Sequence, residues 1–171
     1  MREMHLFAGA GGGILGGMLL GHTPVCAVEI DAYCQSVLKS RQLDGSLPQF
    51  PIFGDITQFD GTPWRNQVDV VAGGFPCTDV SVAGLLEGID GASSGLWREM
   101  ARVVRQVEPV HCFVENVPGL LVRGMDRVLG DLADLGFDAR WTVLSASDVG
   151  APHIRRRVWI LGTHPDREVP N

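Results

Sequence analysis

A run of mostly apolar, β-branched residues at 68–72 ends at two glycines, Gly73 and Gly74, and this junction most constrains how the chain can fold. Such a run is typical of a parallel strand that is buried on both faces. Pro76 then fixes the backbone one residue before Cys77. Because parallel strands present their carboxyl ends to a ligand crevice, Cys77 is a candidate nucleophile. The alternative is a buried structural cysteine, which is commoner for a cysteine taken alone.

Strand and helix patterns alternate along the rest of the chain. Strands are predicted over 4–7, 25–28, 51–53, 68–72, 109–114, 141–144 and 157–161, and helices over 14–20, 31–41, 96–107 and 125–135. This alternation predicts a doubly wound α/β fold with a mostly parallel sheet. No predicted helix separates the last two strands, so we expect them to form an antiparallel hairpin at one edge. We interpret residues 1–171 as a single domain.

The composition indicates a globular protein and argues against a protein that binds nucleic acid through charge alone. Of the 171 residues, 45% are hydrophobic and 20% are charged, values typical of a folded domain with its own core. The formal net charge is −6, and the one basic cluster lies at 155–157. If nucleic acid is the substrate, much of the phosphate-binding surface therefore lies elsewhere.

The cysteines and the amino-terminal region indicate in which cellular compartment the protein is found. The four cysteines have neither the spacing of a metal site nor that of a small disulfide framework. We interpret them as reduced thiols in a cytoplasmic protein, with no metal expected. Glycines at 11–13 and 16–17 interrupt the apolar run near the amino terminus, so we expect neither a signal peptide nor a membrane span.

Three further strand ends carry residues suited to binding a nucleotide-like ligand. Residues 8–13 form a glycine-rich turn between the first strand and the first helix, a common cradle for such ligands. Glu29 ends the second strand about twenty residues later, where a carboxylate can hold ribose hydroxyls. Asp55 follows the third strand and could accept a hydrogen bond from an adenine amino group. A solvated carboxylate at Glu29 and an ordinary turn aspartate at Asp55 remain open alternatives.

Two more segments complete the candidate site. Residues 78–95 are small and glycine-rich, without helical or strand periodicity, and directly follow Cys77. We therefore predict a mobile active-site lid there. Glu115 and Asn116 end the strand predicted at 109–114, which would place the glutamate at the wall of the crevice, although a solvated loop acid is the alternative.

Together these motifs resemble the DNA (cytosine-5) methyltransferases. The resemblance rests on motifs that occur in the family's order and spacing: Phe7-Ala8-Gly9-Ala10-Gly11-Gly12, Gly74-Phe75-Pro76-Cys77, Glu115-Asn116-Val117 and Arg155-Arg156-Arg157. It extends from Leu6 to about Gly162. It implies a Rossmann-like fold that uses S-adenosylmethionine to methylate cytosine.

The resemblance also implies a mechanism for the residues at the strand ends. The Cys77 thiolate would add to C6 of the cytosine, which makes C5 nucleophilic enough to accept a methyl group. Glu115 would engage N3 and the exocyclic amine, and Arg157 would approach O2. The target base would be flipped out of duplex DNA. Supporting roles are implied for Pro76 in orienting the thiol, Asn116 in fixing its loop, Arg155 in bracing the site and Ser81 in contacting the DNA backbone.

For the cofactor, the resemblance implies a ring of contacts from five segments. Glu29 would hold the ribose, Ile30 would pack on the adenine, and Asp55 with Ile56 would lie at its amino group. Phe7, Gly9, Ala10 and Gly12 would surround the methionine and adenosine portions. The other side would be lined by Gly74, Pro76 and Leu96.

The sequence departs from the family pattern at several points. Thr78 and His153 stand where the family usually has glutamine, and an arginine common near 93–94 is missing. Family members also continue into a target-recognition domain and a closing helix beside the first strand. We expect a chain ending at Asn171 to lack both. A second polypeptide or a homodimer could supply them, and the face beside the first strand would otherwise expose apolar surface.

Three functions remain open at the level of sequence. The first is methylation of cytosine in DNA. The second is a non-catalytic or partner-dependent subunit that binds S-adenosylmethionine. The third is methylation of cytosine in RNA or in a free nucleotide. The joint presence of Cys77, Glu115 and Arg157 favours an enzyme, because a subunit that only binds cofactor has no chemical need for all three.

Overall fold

The computed structural model describes residues 1–76 and 95–169, and one seven-stranded sheet organises them. The strands are β1 Arg2–Leu6, β2 Thr23–Val28, β3 Ile52–Phe53, β4 Val70–Gly73, β5 His111–Asn116, β6 Asp138–Ser145 and β7 Arg156–Thr163. The α-helices are α1 Gly12–Leu19, α2 Ala32–Leu43, α3 Gly95–Val107 and α4 Met125–Asp134. Short 3₁₀ helices lie at Thr62–Trp64, Pro118–Val122 and Ala146–Val149.

The sheet confirms the predicted fold class. Its order is β3-β2-β1-β4-β5-β7-β6, and β1 to β5 pair in parallel. β7 runs antiparallel to both β5 and β6, so β6 and β7 form the expected hairpin at one edge. Both hairpin strands are longer than predicted, because their ends carry polar residues such as Asp138, Arg140 and Arg156 that give no apolar signal.

Two layers of helices cover the sheet. α3 supplies Trp97, Met100 and Val104 to the larger core, which buries Val114 and Ile160 from the sheet. α1 and α2 contribute to a smaller core, whose buried members are Ile14, Ala27, Leu38, Leu47 and Phe50. The parallel strands all end at the same edge of the sheet, so the segments that follow β1, β2, β4 and β5 meet there.

Local signals explain where the helices begin and end. Asp31 caps α2, since its Oδ1 accepts a hydrogen bond from the backbone N–H of Cys34 at 2.8 Å. Gly136 adopts a left-handed φ of 85° just after α4, and its N–H donates to the carbonyl of Ala133. α3 starts at Gly95, which had been placed at the end of the predicted lid. The rest of the predicted lid lies outside the described residues.

A buried acid–histidine cluster lies at the beginning of β1. Glu3 Oε2 is 2.9 Å from His22 Nδ1 and 3.6 Å from His5 Nε2. Burial alone would raise the pKa of Glu3, but the interactions with His5 and His22 outweigh burial and hold the pKa below its ordinary value. A Cβ atom at Gly17 would collide with the Glu3 carboxylate, so the close approach of α1 to β1 requires glycine there.

The contribution of Glu3 to stability should therefore depend on pH. Because its folded pKa lies below the unfolded value of about 4.3, the contribution is complete above that pH and is lost as pH falls through the folded pKa. Urea denaturation of the wild type and Glu3→Gln should give a difference in unfolding free energy at neutral pH that shrinks in acid. A difference independent of pH would show that packing, and not charge, is what glutamate contributes.

The face opposite the larger core carries an apolar strip on β5 and β7. Phe113 and Trp159 alternate with core residues along these strands, and their rings stack with centroids 5.4 Å apart. Leu161 is 40% exposed beside them. Closer to β1 the same face is covered, since Val70 and Ala72 are buried. At these positions the structure does not show the apolar surface that was expected directly beside the first strand.

No helix among the described residues is long and apolar enough to span a membrane.

Candidate active site

An ion pair between Glu115 and Arg157 forms the centre of the candidate site. The antiparallel register pairs Glu115 with Trp159, so Arg157 lies two residues away on the same face of the sheet. Arg157 Nε is 2.6 Å from Glu115 Oε1, and the two side chains remain 20% and 29% exposed. The pair is thus held in a fixed geometry while still open to a ligand.

The glycines after β4 make room for this pair. A Cβ atom at Gly74 would lie 2.7 Å from Glu115 Oε2, and one at Gly73 would lie 2.7 Å from the carbonyl oxygen of Leu6. Neither position can hold a side chain without moving its neighbour. The two glycines therefore allow the segment after β4 to pass directly beneath the Glu115 carboxylate.

Asn116 ties that segment to the end of β5. Its buried side chain donates from Nδ2 to the Phe75 carbonyl at 3.1 Å and accepts at Oδ1 from the Val117 N–H at 2.7 Å. Phe75 packs on Trp97 of α3, with ring centroids 5.4 Å apart. Pro76 follows on the exposed surface. The backbone that leads to residue 77 is therefore anchored from two neighbouring elements.

Three other predicted site residues have different outcomes. Cys77 and Ser81 lie outside the described residues. Arg155 is exposed, and its carbonyl accepts a hydrogen bond from the Ala146 N–H at 3.1 Å. In the described ranges 1–76 and 95–169, the Arg155 side chain forms no ion pair with Glu115. The structure thus brings Glu115, Arg157 and Asn116 together and leaves Arg155 apart from them.

The remaining cysteines are poorly suited to nucleophilic chemistry. Cys26 and Cys112 are buried, and burial raises the pKa of each thiol to about 12. The pKa of Cys34 is also raised, first by desolvation and then by the neighbouring Asp31 carboxylate. Because the thiolate is the reactive form, none of these three thiols is activated at neutral pH. Across the described residues, no cluster of three or more His, Cys, Asp or Glu could hold a metal ion.

Glu29 organises the turn after β1. Its Oε2 accepts from the Gly9 N–H at 2.7 Å, and its Oε1 accepts from the Asp31 N–H at 2.8 Å. Gln35 donates to the Glu29 carbonyl at 2.7 Å. Each carboxylate oxygen has a further lone pair, so the group can bind two hydroxyls while it holds the turn. The Glu29 carboxylate is therefore engaged with the backbone, and its binding of ribose hydroxyls stays a prediction.

The glycine turn after β1 leaves open space beside its backbone. Phe7 and Gly9 both have a left-handed φ of 54°, and Phe7 packs against the larger core. A Cβ atom at Gly9 or Gly12 would meet nothing within 4 Å. Ala10 is exposed at the crest of the turn. The space beside Glu29 is thus free for a ligand that approaches the backbone closely.

The other predicted cofactor residues differ in burial and in their contacts. Asp55 Oδ1 accepts from the Thr57 N–H at 2.9 Å, as in an ordinary turn, and its second oxygen remains available. Ile56 is buried behind it, whereas Ile30 is 72% exposed. Leu96 is partly buried at the start of α3 and packs against the larger core. Binding of adenine by Asp55 and Ile30 stays a prediction.

Sequence patterns gave no indication of the clamp that holds the loop after β3. Arg102 of α3 donates from Nη2 to the Ile56 carbonyl at 2.6 Å and from Nη1 to the Phe59 carbonyl at 2.9 Å. Gln106 Oε1 accepts from Arg102 Nη1 and from the Gly61 N–H. These contacts fix the backbone that carries Asp55. In sequence, an arginine of an amphipathic helix that binds backbone carbonyls looks the same as an arginine that faces solvent.

Known proteins are similar in sequence to nearly the whole of this chain. Residues 1–171 match the family described as C-5 cytosine-specific DNA methylase. The type II methyltransferase M.CviJI of Paramecium bursaria Chlorella virus IL3A is 33% identical, over 98% of this chain and 44% of its own length. M.Eco47II of Escherichia coli is 36% identical, over 95% of this chain and 39% of its own length. The chain therefore spans less than half the length of these relatives.

Solved structures share the fold. A DNMT2 mutant of Spodoptera frugiperda superposes with a TM-score of 0.78 at 20% identity, covering 99% of this chain and 52% of its own. Dnmt2 of S. pombe superposes with a TM-score of 0.75 at 18% identity, with the same coverage of 99% and 52%. At such low identity these structures support the fold alone. The match over the full sequence shows more: the chain belongs to the C-5 cytosine-specific DNA methylase family.

Proposed function

We propose that the chain is the catalytic part of an enzyme that transfers a methyl group from S-adenosylmethionine to C5 of cytosine in DNA. The observation that carries this proposal is the Glu115–Arg157 pair, held at 2.6 Å above Gly74 and beside the segment that leads to Cys77. A carboxyl group and a guanidinium at the same crevice suit the N3 and O2 edge of a cytosine ring.

In this proposal each group of the chain has a defined task on the flipped base. The Cys77 thiolate forms a bond to C6, and the displaced electron pair is stabilised at N3 by a proton shared with Glu115 and at O2 by Arg157. C5 then takes the methyl group, whose bond to the sulfonium sulfur breaks, and the bonding electron pair leaves with the thioether product S-adenosylhomocysteine. Loss of the C5 proton to a base and departure of Cys77 from C6 restore the aromatic ring and the free thiolate.

The other cysteines support the choice of Cys77. Cys26 and Cys112 are buried, with the pKa of each raised to about 12, and the pKa of Cys34 is raised as well. A covalent mechanism through any of the three would begin from a protonated thiol. Asn116 and Phe75 anchor the backbone just before Pro76 and Cys77, which suits a nucleophile that must be positioned.

The turn at Glu29 fits S-adenosylmethionine. This cofactor supplies the methyl group as an electrophile on its sulfonium centre. Glu29 would bind the two ribose hydroxyls through its remaining lone pairs, and the open backbone at Gly9 and Gly12 leaves space for the methionine portion. Asp55 would accept from the adenine amino group.

Methyl transfer from a labelled cofactor tests the proposed function. We expect label in duplex DNA, located on C5 of cytosine, and none in tRNA or in dCMP. Label in tRNA or dCMP alone would show that RNA or a free nucleotide, and not DNA, is the substrate. If the protein bound S-adenosylmethionine but labelled none of the three, the chain would be a cofactor-binding subunit and the proposal would fail.

Loss of the Glu29 carboxylate should weaken cofactor binding. Glu29→Gln keeps the shape of the side chain but removes its charge and one acceptor, and we expect a loss of about 1–3 kcal/mol in binding free energy. Isothermal titration calorimetry measures this directly. Asp134→Asn, at an exposed position on α4, is the control and should bind normally. Equal affinity of Glu29→Gln and the wild type would mean that the carboxylate only holds the turn.

The clamp by Arg102 should also affect the cofactor, although Arg102 is a positioning residue. Arg102→Met removes the bonds to Ile56 and Phe59, and we expect S-adenosylmethionine to bind about fivefold more weakly, or about 1 kcal/mol. The KM for DNA should not change. Arg105→Met, on the exposed side of the same helix, is the matched control. If melting temperature fell while cofactor affinity stayed normal, Arg102 would only support the fold.

A further inference from the structure

Arg156 lies in the basic cluster but not on the face of the Glu115–Arg157 pair. Side chains alternate along β7, which begins at Arg156. Arg157 turns to Glu115, so Arg156 lies on the opposite face together with the core residues Val158 and Ile160. The exposed Arg156 guanidinium forms no ion pair within residues 1–76 and 95–169.

Arg156 lines an open cleft at the corner of the sheet where β6 ends and β7 begins. The register pairs Arg156 with Ser145, the last residue of β6. The cleft has a volume of about 270 Å³, and its lining residues are Val143, Ser145, Ser147, Asp148, Ile154 and Arg156. This corner lies at the same edge of the sheet as Glu115 and Arg157.

The cleft offers hydrogen-bond donors as well as a positive charge. The hydroxyl oxygens of Ser145 and Ser147 are 2.8 Å apart. Their contact uses only one of the two hydroxyl hydrogens, so one donor of the pair remains for a ligand. Asp148 is the acid among the lining residues, and its Oδ2 accepts from the Ser145 N–H at 2.8 Å. Its carboxylate is therefore engaged in holding the turn between the two strands.

We propose that this cleft binds a backbone phosphate of the DNA substrate. A guanidinium with one neighbouring hydroxyl donor matches the oxygens of a phosphodiester. A duplex that delivers a base to Glu115 must cross the carboxyl edge of the sheet, where the cleft opens. The inference rests on the proposed function, since that function brings DNA to this edge. It adds a contact with DNA on the face of β7 opposite the Glu115–Arg157 pair.

The dependence of DNA binding on salt tests this contact. The affinity of a fluorescent duplex is measured by anisotropy from about 50 to 200 mM salt for the wild type and Arg156→Gln. Loss of one phosphate contact should weaken binding to all sequences alike and reduce the slope of log K against log salt by about 1. Arg156→Lys keeps the charge and should keep the slope. Arg140→Gln removes an exposed charge from the other face of β6 and is the matched control.

The outcomes separate this inference from the proposed function. An unchanged slope in Arg156→Gln, or an equal drop in Arg140→Gln, would overturn the cleft as a phosphate site even if the wild type methylated DNA. No measurable DNA binding at low salt would overturn it too. A reduced slope without methyl transfer would leave the cleft as a nucleic-acid contact and refute the proposed activity instead. Cofactor affinity and melting temperature should match the wild type in every variant.

Discussion

Cys77→Ser should abolish methyl transfer, with a loss of about 10⁴-fold or more, as is usual when a covalent enzyme loses its nucleophile. A hydroxyl at this position has nearly the same size, but it is not ionised at neutral pH and cannot add to C6 at a useful rate. Single-turnover transfer of a labelled methyl group to duplex DNA measures the effect. The affinity for S-adenosylmethionine and the melting temperature should stay near the wild-type values, because the change is small and local.

A second cysteine provides the control for this result. Cys34 lies on α2 and is partly exposed, and Cys34→Ser should retain full activity. Substantial turnover by Cys77→Ser, beyond what reversion or contamination explains, would refute the covalent mechanism. Equal losses in both serine variants would point to a general sensitivity of the fold and not to a nucleophile.

Glu115→Gln should lower the rate of methyl transfer by about 10²–10⁴-fold, the usual contribution of a positioned acid or base. Glutamine fits above Gly74 as glutamate does, but it cannot share a proton with N3 of the base. Its amide also gives Arg157 no charge to pair with. Rates measured with enzyme in excess over DNA isolate the chemical step. Cofactor affinity should not change, since the proposed cofactor site lies at Glu29 and not at Glu115.

Glu108→Gln is the matched control, because it breaks another carboxylate–arginine contact. Glu108 Oε1 is 3.2 Å from Arg65 Nη2, and both side chains are well exposed. Such surface pairs contribute little, so this variant should behave as the wild type. A Glu115→Gln enzyme with a normal rate would show that the pair with Arg157 is structural, and the assignment of N3 to Glu115 would have to be abandoned.

The architecture could be predicted because strong local patterns agreed with one another. The buried run at 68–72 is largely β4, and the amphipathic pattern at 96–107 matches α3 almost residue for residue. β6 was harder, because Arg140, Trp141, Thr142 and Val143 are all exposed. A strand at the edge of a sheet has little buried surface, and only its pairing with β7 defines its ends.

The candidate site could be predicted only where chemistry follows directly from residue type. The sequence predicts Glu115 at the wall of the crevice, but its ion pair with Arg157 depends on the antiparallel register of β5 and β7. The need for glycine at position 74 follows from the nearby Glu115 carboxylate, a contact between residues far apart in sequence. Contacts of this kind leave no periodic signal in a single sequence.

Trapping with DNA that contains 5-fluorocytosine tests the central claim most directly. Fluorine at C5 cannot leave as a proton, so the reaction should stop with the protein bonded to C6 of the base. We predict a covalent complex that requires S-adenosylmethionine, resists denaturation, and maps by mass spectrometry to the peptide containing Cys77. Methylation of ordinary DNA without any trapped complex, or a complex that maps to Cys26, Cys34 or Cys112, would contradict the account.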